Sequence, residues 1–154
     1  PDGDYAGFIK RFSGKEYPEG NFVDSTGAVL GTHKGIIHYT IGQRKGLGIA
    51  FGEPKYVCGI CPQDNTVVLG NNEDLFSKTV KVSNVNFIAC DSIDTPIKAA
   101  AKIRYNHTEQ PATITQTDKN NILIEFESPQ RAITPGQAAV VYDGNTVVCG
   151  GIIE

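Results

Sequence analysis

At 154 residues the chain holds one ordinary domain or two small ones, and 40% hydrophobic with 20% charged residues excludes a disordered polymer. Its net charge of −3 argues against a non-specific nucleic-acid binder, and no apolar run approaches the ~20 residues of a membrane helix. The start, Pro1-Asp2-Gly3-Asp4, lacks the apolar stretch of a signal peptide, and four cysteines at this length are no disulfide scaffold. Reduced thiols in a cytoplasmic compartment are therefore expected.

Ile, Val and Thr together supply 40 residues against 5 Leu, a bias toward strands, and 17 Gly with 8 Pro provide many turns. The first predicted element is nevertheless a helix over 4–13. Tyr5, Phe8, Ile9 and Phe12 form one apolar stripe at helical spacing, Asp2 or Asp4 can cap its start, and Ser13-Gly14 can stop it. Further on, 27–31 reads as a short strand or hairpin arm and 36–41 as a second strand. Gly42 to Gly48 is a glycine-punctuated loop, and 55–60 with 66–69 form a hairpin around Pro62–Asn65. The polar stretch Asn71–Asp74 places a domain boundary just after it, giving a small β domain over 1–75 and a second domain over 76–154.

The second domain carries six candidate strands: 79–88, 97–105, 111–117, 122–127, 138–142 and 146–153. A phase change between Val82 and Val85 predicts a bulge near Ser83-Asn84. The 97–105 strand alternates Ile97, Ala99, Ala101, Ile103 and Tyr105 against Lys98, Lys102 and Arg104. Asp118–Asn121 and Asp143–Asn145 supply hairpin turns. Six short strands at this spacing predict a small closed barrel, so the fold class is mainly β: one N-terminal helix, a small β domain, then a six-stranded translation-factor-like barrel.

Charge distribution says more than net charge. No acid falls between Ser25 and Gly52, where His33, Lys34, His38, Arg44 and Lys45 lie. None falls between Thr95 and Thr108, where Lys98, Lys102, Arg104 and His107 lie. Both stretches can face an anion or lie on solvated surface. His33 and His38, flanking the predicted 36–41 strand, suit contact with an anion or a base.

The chemical motifs are weaker. Cys58-Gly59-Ile60-Cys61 is a CxxC without a second pair, and in a strand its two thiols point to opposite faces, so small packed residues are expected rather than zinc or a redox pair. Gly42–Gly48 is neither a Walker loop nor GxGxxG; its glycines serve backbone geometry while it presents Arg44 and Lys45. No Ser-His-Asp, Cys-His or paired-carboxylate arrangement is present, and no glycine motif for a methyl donor. On residues alone this is a β-rich binding chain without a catalytic centre or metal site.

The segment His33-Lys-Gly-Ile-Ile-His-Tyr-Thr-Ile-Gly-Gln-Arg-Lys-Gly-Leu-Gly-Ile49 resembles the signature of the tRNA-specific 2-thiouridylases, the MnmA family. Lys102-Ile-Arg-Tyr105, Pro111-Ala-Thr113, Thr134-Pro-Gly-Gln-Ala138 and the ending Gly150-Gly-Ile-Ile-Glu154 match in the same order, as does Pro1–Ile9. The resemblance implies an enzyme that adenylates the wobble uridine of the tRNAs for Lys, Glu and Gln with ATP, then delivers sulfur from a cysteine persulfide loaded by a sulfur-relay protein. It also implies an N-terminal ATP-pyrophosphatase domain that carries both catalytic cysteines, upstream of Pro1. None of Cys58, Cys61, Cys90 or Cys149 matches a catalytic position, and no pyrophosphate loop is present. The expectation is the central domain, incomplete at its N-terminal side, plus the C-terminal barrel: a tRNA-binding fragment, inactive alone, that binds neither cofactor itself.

Its expected contacts with the tRNA anticodon region are Arg104, Tyr105 and Gln137 on the barrel, with Lys34, Gln43, Arg44 and Lys45 in the central domain. The latter group can instead pack on the ATP-pyrophosphatase domain. For Tyr105, alternation also suits a place in the barrel core. The alternative from another class is a stand-alone translation-factor-type barrel binding RNA or protein, which leaves the 33–49 motif unexplained.

Overall fold

A computed structural model describes residues 5–154. The chain divides into two compact units between Leu75 and Phe76. Helix α1 (Tyr5–Ser13) ends at Gly14, whose φ of 62° lets its N–H return to Lys10 O at 3.2 Å. Lys10 and Arg11 occupy its last turn, the favourable end for cations. The proposed caps Asp2 and Asp4 lie outside the described residues. Spacing puts Phe8 and Phe12 one turn apart, and their rings stack at 5.5 Å, yet they stay 56% and 85% exposed.

The first unit's sheet comprises β1 (Gly20–Val23), β2 (Val29–His33), β3 (Tyr56–Cys61) and β4 (Thr66–Gly70), in the order β2-β1-β4-β3. β1 pairs parallel with β4 and the other pairs are antiparallel. The β1–β2 turn is built on Asp24, whose Oδ1 accepts from Thr26 Oγ1 and from the N–H groups of Thr26 and Ala28. These donors, the Thr26 hydroxyl foremost, hold the Asp24 carboxyl below the usual carboxylate range. The β3–β4 hairpin turns at Pro62–Asn65 as expected, with Asn65 at φ 51°. β1 itself, four residues beginning at a glycine, carries no sequence signal strong enough to predict it.

The predicted 36–41 strand is not formed. Ile36–His38 is a 3-10 turn instead, closed by His38 N–H to Gly35 O and Tyr39 N–H to Ile36 O. Gly35 (φ 111°) turns the chain out of strand geometry, so the apolar side chains reach the core from a loop. Tyr39 and Leu47 are buried there with Phe22, Val57, Val67 and Leu69. The loop also covers the sheet edge: Gly42 N–H donates to Val57 O at 2.7 Å and Val57 N–H to Gln43 O at 2.9 Å.

The second unit is a closed six-stranded barrel. Its strands are β5 (Phe76–Phe87), β6 (Ile97–Lys102), β7 (Gln110–Asp118), β8 (Asn121–Arg131), β9 (Ala138–Asp143) and β10 (Thr146–Ile153). Their order, β10-β5-β8-β7-β6-β9, closes by antiparallel pairing of β9 with β10. Val80, Val82, Ala101, Ala112, Ile114, Ile122, Ile124 and Val141 fill the interior, as period-two patterning demands. The anticipated bulge is present: Asn86 pairs with Gly150 and Ser83 with Ile152, so Asn84 and Val85 oppose Gly151 alone, with Asn84 at φ 50°. Gly151 is required there, since a Cβ would lie 2.5 Å from Ser83 O.

Candidate nucleic-acid interface

β6 keeps its alternation only to Ile103. Ala101 and Ile103 are buried at 1% and 3%, whereas the strand ends at Lys102 and a turn follows, closed by His107 N–H to Arg104 O at 3.2 Å. Tyr105 therefore never enters the core its phase suited; it is 92% exposed. The Lys102 Nζ sits 5.7 Å from its ring centroid, within cation–π range.

Arg104 turns the other way. It is half-buried, and its Nη2 donates to Arg131 O at 3.1 Å and to Ala132 O. Ala132 is 2% exposed at φ 53°, and its carbonyl also accepts from Thr134 Oγ1 at 3.0 Å. Thr134 opens the next turn, Thr134-Pro135-Gly136-Gln137, in which Gln137 N–H returns to Thr134 O and Gly136 takes φ 86°. Proline then a left-handed glycine is the type II pattern. Gly136 and Gln137 exchange 2.8 Å bonds with Ile153, which leaves the Gln137 side chain exposed. One carbonyl, Ala132 O, thus ties the turn that carries Tyr105 to the turn that carries Gln137. Sequence reasoning missed Lys102 as part of this group; its spacing of three from Tyr105 across a strand end was the available signal.

In the first unit, Lys34, Arg44 and Lys45 are exposed. Gln43 is not offered outward: its Oε1 accepts from Thr40 N–H at 3.0 Å and its Nε2 donates to Lys45 O at 2.9 Å. Gln43 on one side and buried Leu47 on the other hold the segment that presents Arg44 and Lys45. Gly42, Gly46 and Gly48 have φ values of 88°, 76° and 77°, the backbone geometry expected of them.

His33 corrects the sequence reading of an anion contact, since it is 1% exposed. Its Nδ1 accepts from Gly35 N–H at 3.0 Å, which places the ring proton on Nε2, donating to Asn65 O at 3.0 Å. Asn65 Nδ2 in turn donates to Glu19 O and Pro18 O. Phe22 and Tyr39 meet the imidazole edge-on. The first residue of the signature motif is an architectural pin.

Cys58 and Cys61 are half-buried in β3, and a register shift between Val57 and Gly59 falls on Cys58. Burial, then the Asp74 carboxylate, pushes the Cys58 thiol up. Cys149 is fully buried, and burial, then neighbouring Cys90, raises its thiol from 9.0 to about 11. Both shifts oppose thiolate chemistry at neutral pH. The folded state keeps the Cys149 proton where the unfolded chain has released it. Stability from this group is therefore full below pH 9 and is lost as pH rises from about 9 to about 11. Cys149→Ala is expected to flatten that part of the stability–pH curve in urea titrations; an unchanged slope would contradict the assignment.

Two family profiles divide the chain: residues 6–71 match the tRNA methyl transferase PRC-barrel domain and 77–153 the aminomethyltransferase beta-barrel domain. The class so defined is a PRC-barrel domain followed by an aminomethyltransferase-type beta-barrel domain. A protein of Clostridioides difficile (strain 630) is 54% identical over 99% of this chain and 42% of its own length; it bears the name tRNA-specific 2-thiouridylase MnmA. So do relatives from Lachnoclostridium phytofermentans and Acetivibrio thermocellus, 50% and 49% identical over 99% of this chain and 43% of theirs. The chain belongs to the tRNA-specific 2-thiouridylase (MnmA) family. It spans less than half the length of these relatives.

Proposed function

We propose that this chain is the tRNA-holding part of a cytoplasmic enzyme that 2-thiolates the wobble uridine of the tRNAs for Lys, Glu and Gln. Its two units are read as the central and C-terminal domains. ATP, the persulfide donor and the sulfur-relay partner belong to the remainder of the parent, and the chain alone is inactive. The supporting observation is the pair of turns joined at Ala132 O: one carries an exposed aromatic ring, Tyr105, on an acid-free stretch, and the other an exposed amide, Gln137. RNA recognition uses such groups: bases stack on aromatic rings and are read by donors and acceptors on their edges. Lys34, Arg44 and Lys45 are suited to backbone phosphates, and Gln43 to holding their loop.

The test is titration of unmodified glutamate tRNA with this chain over a salt series, alongside Arg104→Ala. Binding that weakens linearly in log salt, and roughly tenfold further in the variant, is expected. Absence of binding at low salt would remove the proposed surface from this chain.

A further inference from the structure

A bulge brings the barrel's two cysteines together. Cys149 lies in β10, is fully buried and pairs in register with Phe87 at the end of β5. Past Phe87 the chain stays against β10, but two successive donors, Ile88 N–H and Ala89 N–H, share one acceptor, Val148 O, at 2.9 and 3.2 Å. Two donors on one carbonyl mark an extra residue, which shifts the alternation by one. Val85 and Phe87 pack on the barrel core, so unbroken alternation would turn Ala89 inward and Cys90 outward. The reverse is found: Ile88 and Ala89 are exposed, and half-buried Cys90 packs against the apolar cluster that contains Cys149. Three residues on, Ile93 is buried and its N–H donates to Gln116 Oε1 at 2.7 Å, which holds this loop to the barrel. The thiols are near enough for charge on Cys90 to disfavour charge on Cys149. Cys58 and Cys61 differ: three residues apart along β3, their Cα atoms are separated by roughly 10 Å, beyond the ~7 Å that a disulfide spans.

We propose that Cys90 and Cys149 are a redox-active dithiol that hydrogen peroxide closes to a disulfide, stapling the end of β5 to β10. Cys90, the more accessible, reacts first. Its sulfur attacks one peroxide oxygen, the O–O bond breaks, and water leaves with a sulfenic acid on Cys90. The Cys149 sulfur then attacks the Cys90 sulfur, the S–O bond breaks, and the hydroxyl departs with the Cys149 proton as a second water. Two thiols are oxidised to one disulfide while one peroxide is reduced to two waters. Burial keeps Cys149 out of the first step and in reach of the second. A link between residues this distant in sequence restricts the unfolded chain and so stabilises the barrel.

The test treats the full chain with hydrogen peroxide at neutral pH without denaturant, quenches with catalase, blocks remaining thiols with iodoacetamide in urea, and reads unreduced peptides by mass spectrometry. One linked pair containing Cys90 and Cys149 is expected, with a mass about 2 Da lower before blocking and a urea midpoint that rises and returns on adding a dithiol reductant. Cys90→Ser, at the half-buried position, should abolish the link and the midpoint shift. Cys149→Ala should leave a sulfenic acid on Cys90 that dimedone traps. Cys90 and Cys149 both still alkylated, a link to Cys58 or Cys61 or between chains, or a link that forms only in urea would each overturn the dithiol.

Discussion

Gly35→Ala is expected to lower the stability of the first unit by about 3 kcal/mol or more. Two costs combine. The glycine holds φ 111° and ψ 135°, a region nearly closed to other residues, where strain is about 1–3 kcal/mol. The new Cβ would also lie 2.5 Å from Tyr17 O, a backbone atom that cannot swing aside. Relief by rotating the peptide would pull Gly35 N–H from His33 Nδ1 and leave a buried acceptor unpaired, at about 1–3 kcal/mol. Gly27→Ala is the control, with φ 87° and open space around the added carbon, so that only the conformational cost of about 1–2 kcal/mol applies. Urea unfolding followed by circular dichroism compares them. Equal losses in the two variants would mean that the Tyr17 contact and the His33 bond contribute nothing.

Ile124→Ala should cost the barrel about 2–5 kcal/mol. The side chain is fully buried, and its neighbours in register, Val80 and Ile114, are buried as well. Removing three carbons leaves a cavity that strands bonded on both sides cannot collapse to fill. Ile124→Val should cost about 0.5–1.5 kcal/mol, and Glu125→Ala, on the exposed face of the same strand, within about 0.5 kcal/mol. The functional consequence follows from geometry. The carbonyls of Arg131 and Ala132 lie at and just beyond the end of this strand, so under the proposed function tRNA binding should fall with the folded fraction. A fully folded Ile124→Ala barrel of wild-type stability would contradict the interior assignment.

Much of the fold follows from local pattern. Period-two alternation of Ile, Val and Ala against polar residues was enough to find all six barrel strands, because a closed barrel buries one face of every strand. The glycine loop and the 33–49 signature were equally legible, the first from backbone demands of glycine and the second from a long ordered match. Where pattern failed, it failed at ends and at distance. Alternation reports which face a side chain takes while the strand lasts, and it carries no mark of where the strand stops. Tyr105 sits two residues past Ile103 in perfect phase and is solvent-exposed, because β6 had already ended. Ile36–Ile41 reads as a strand by the same rule, yet Gly35 and two local i to i+3 bonds fold it into a turn.

Other features depended on partners far along the chain. The burial of His33 rests on a carbonyl 32 residues away, and parallel pairing of Phe22 with Val67 brings that carbonyl near. Arg104 reads from sequence as a tRNA contact, and only the fold shows that its Nη2 donates to the carbonyls of Arg131 and Ala132, 27 and 28 residues on. The sequence by itself determined the class, the six barrel strands and the family. Only the tertiary structure decided which polar side chains remain available to a ligand, because a donor is withdrawn by whichever acceptor the folded chain places beside it.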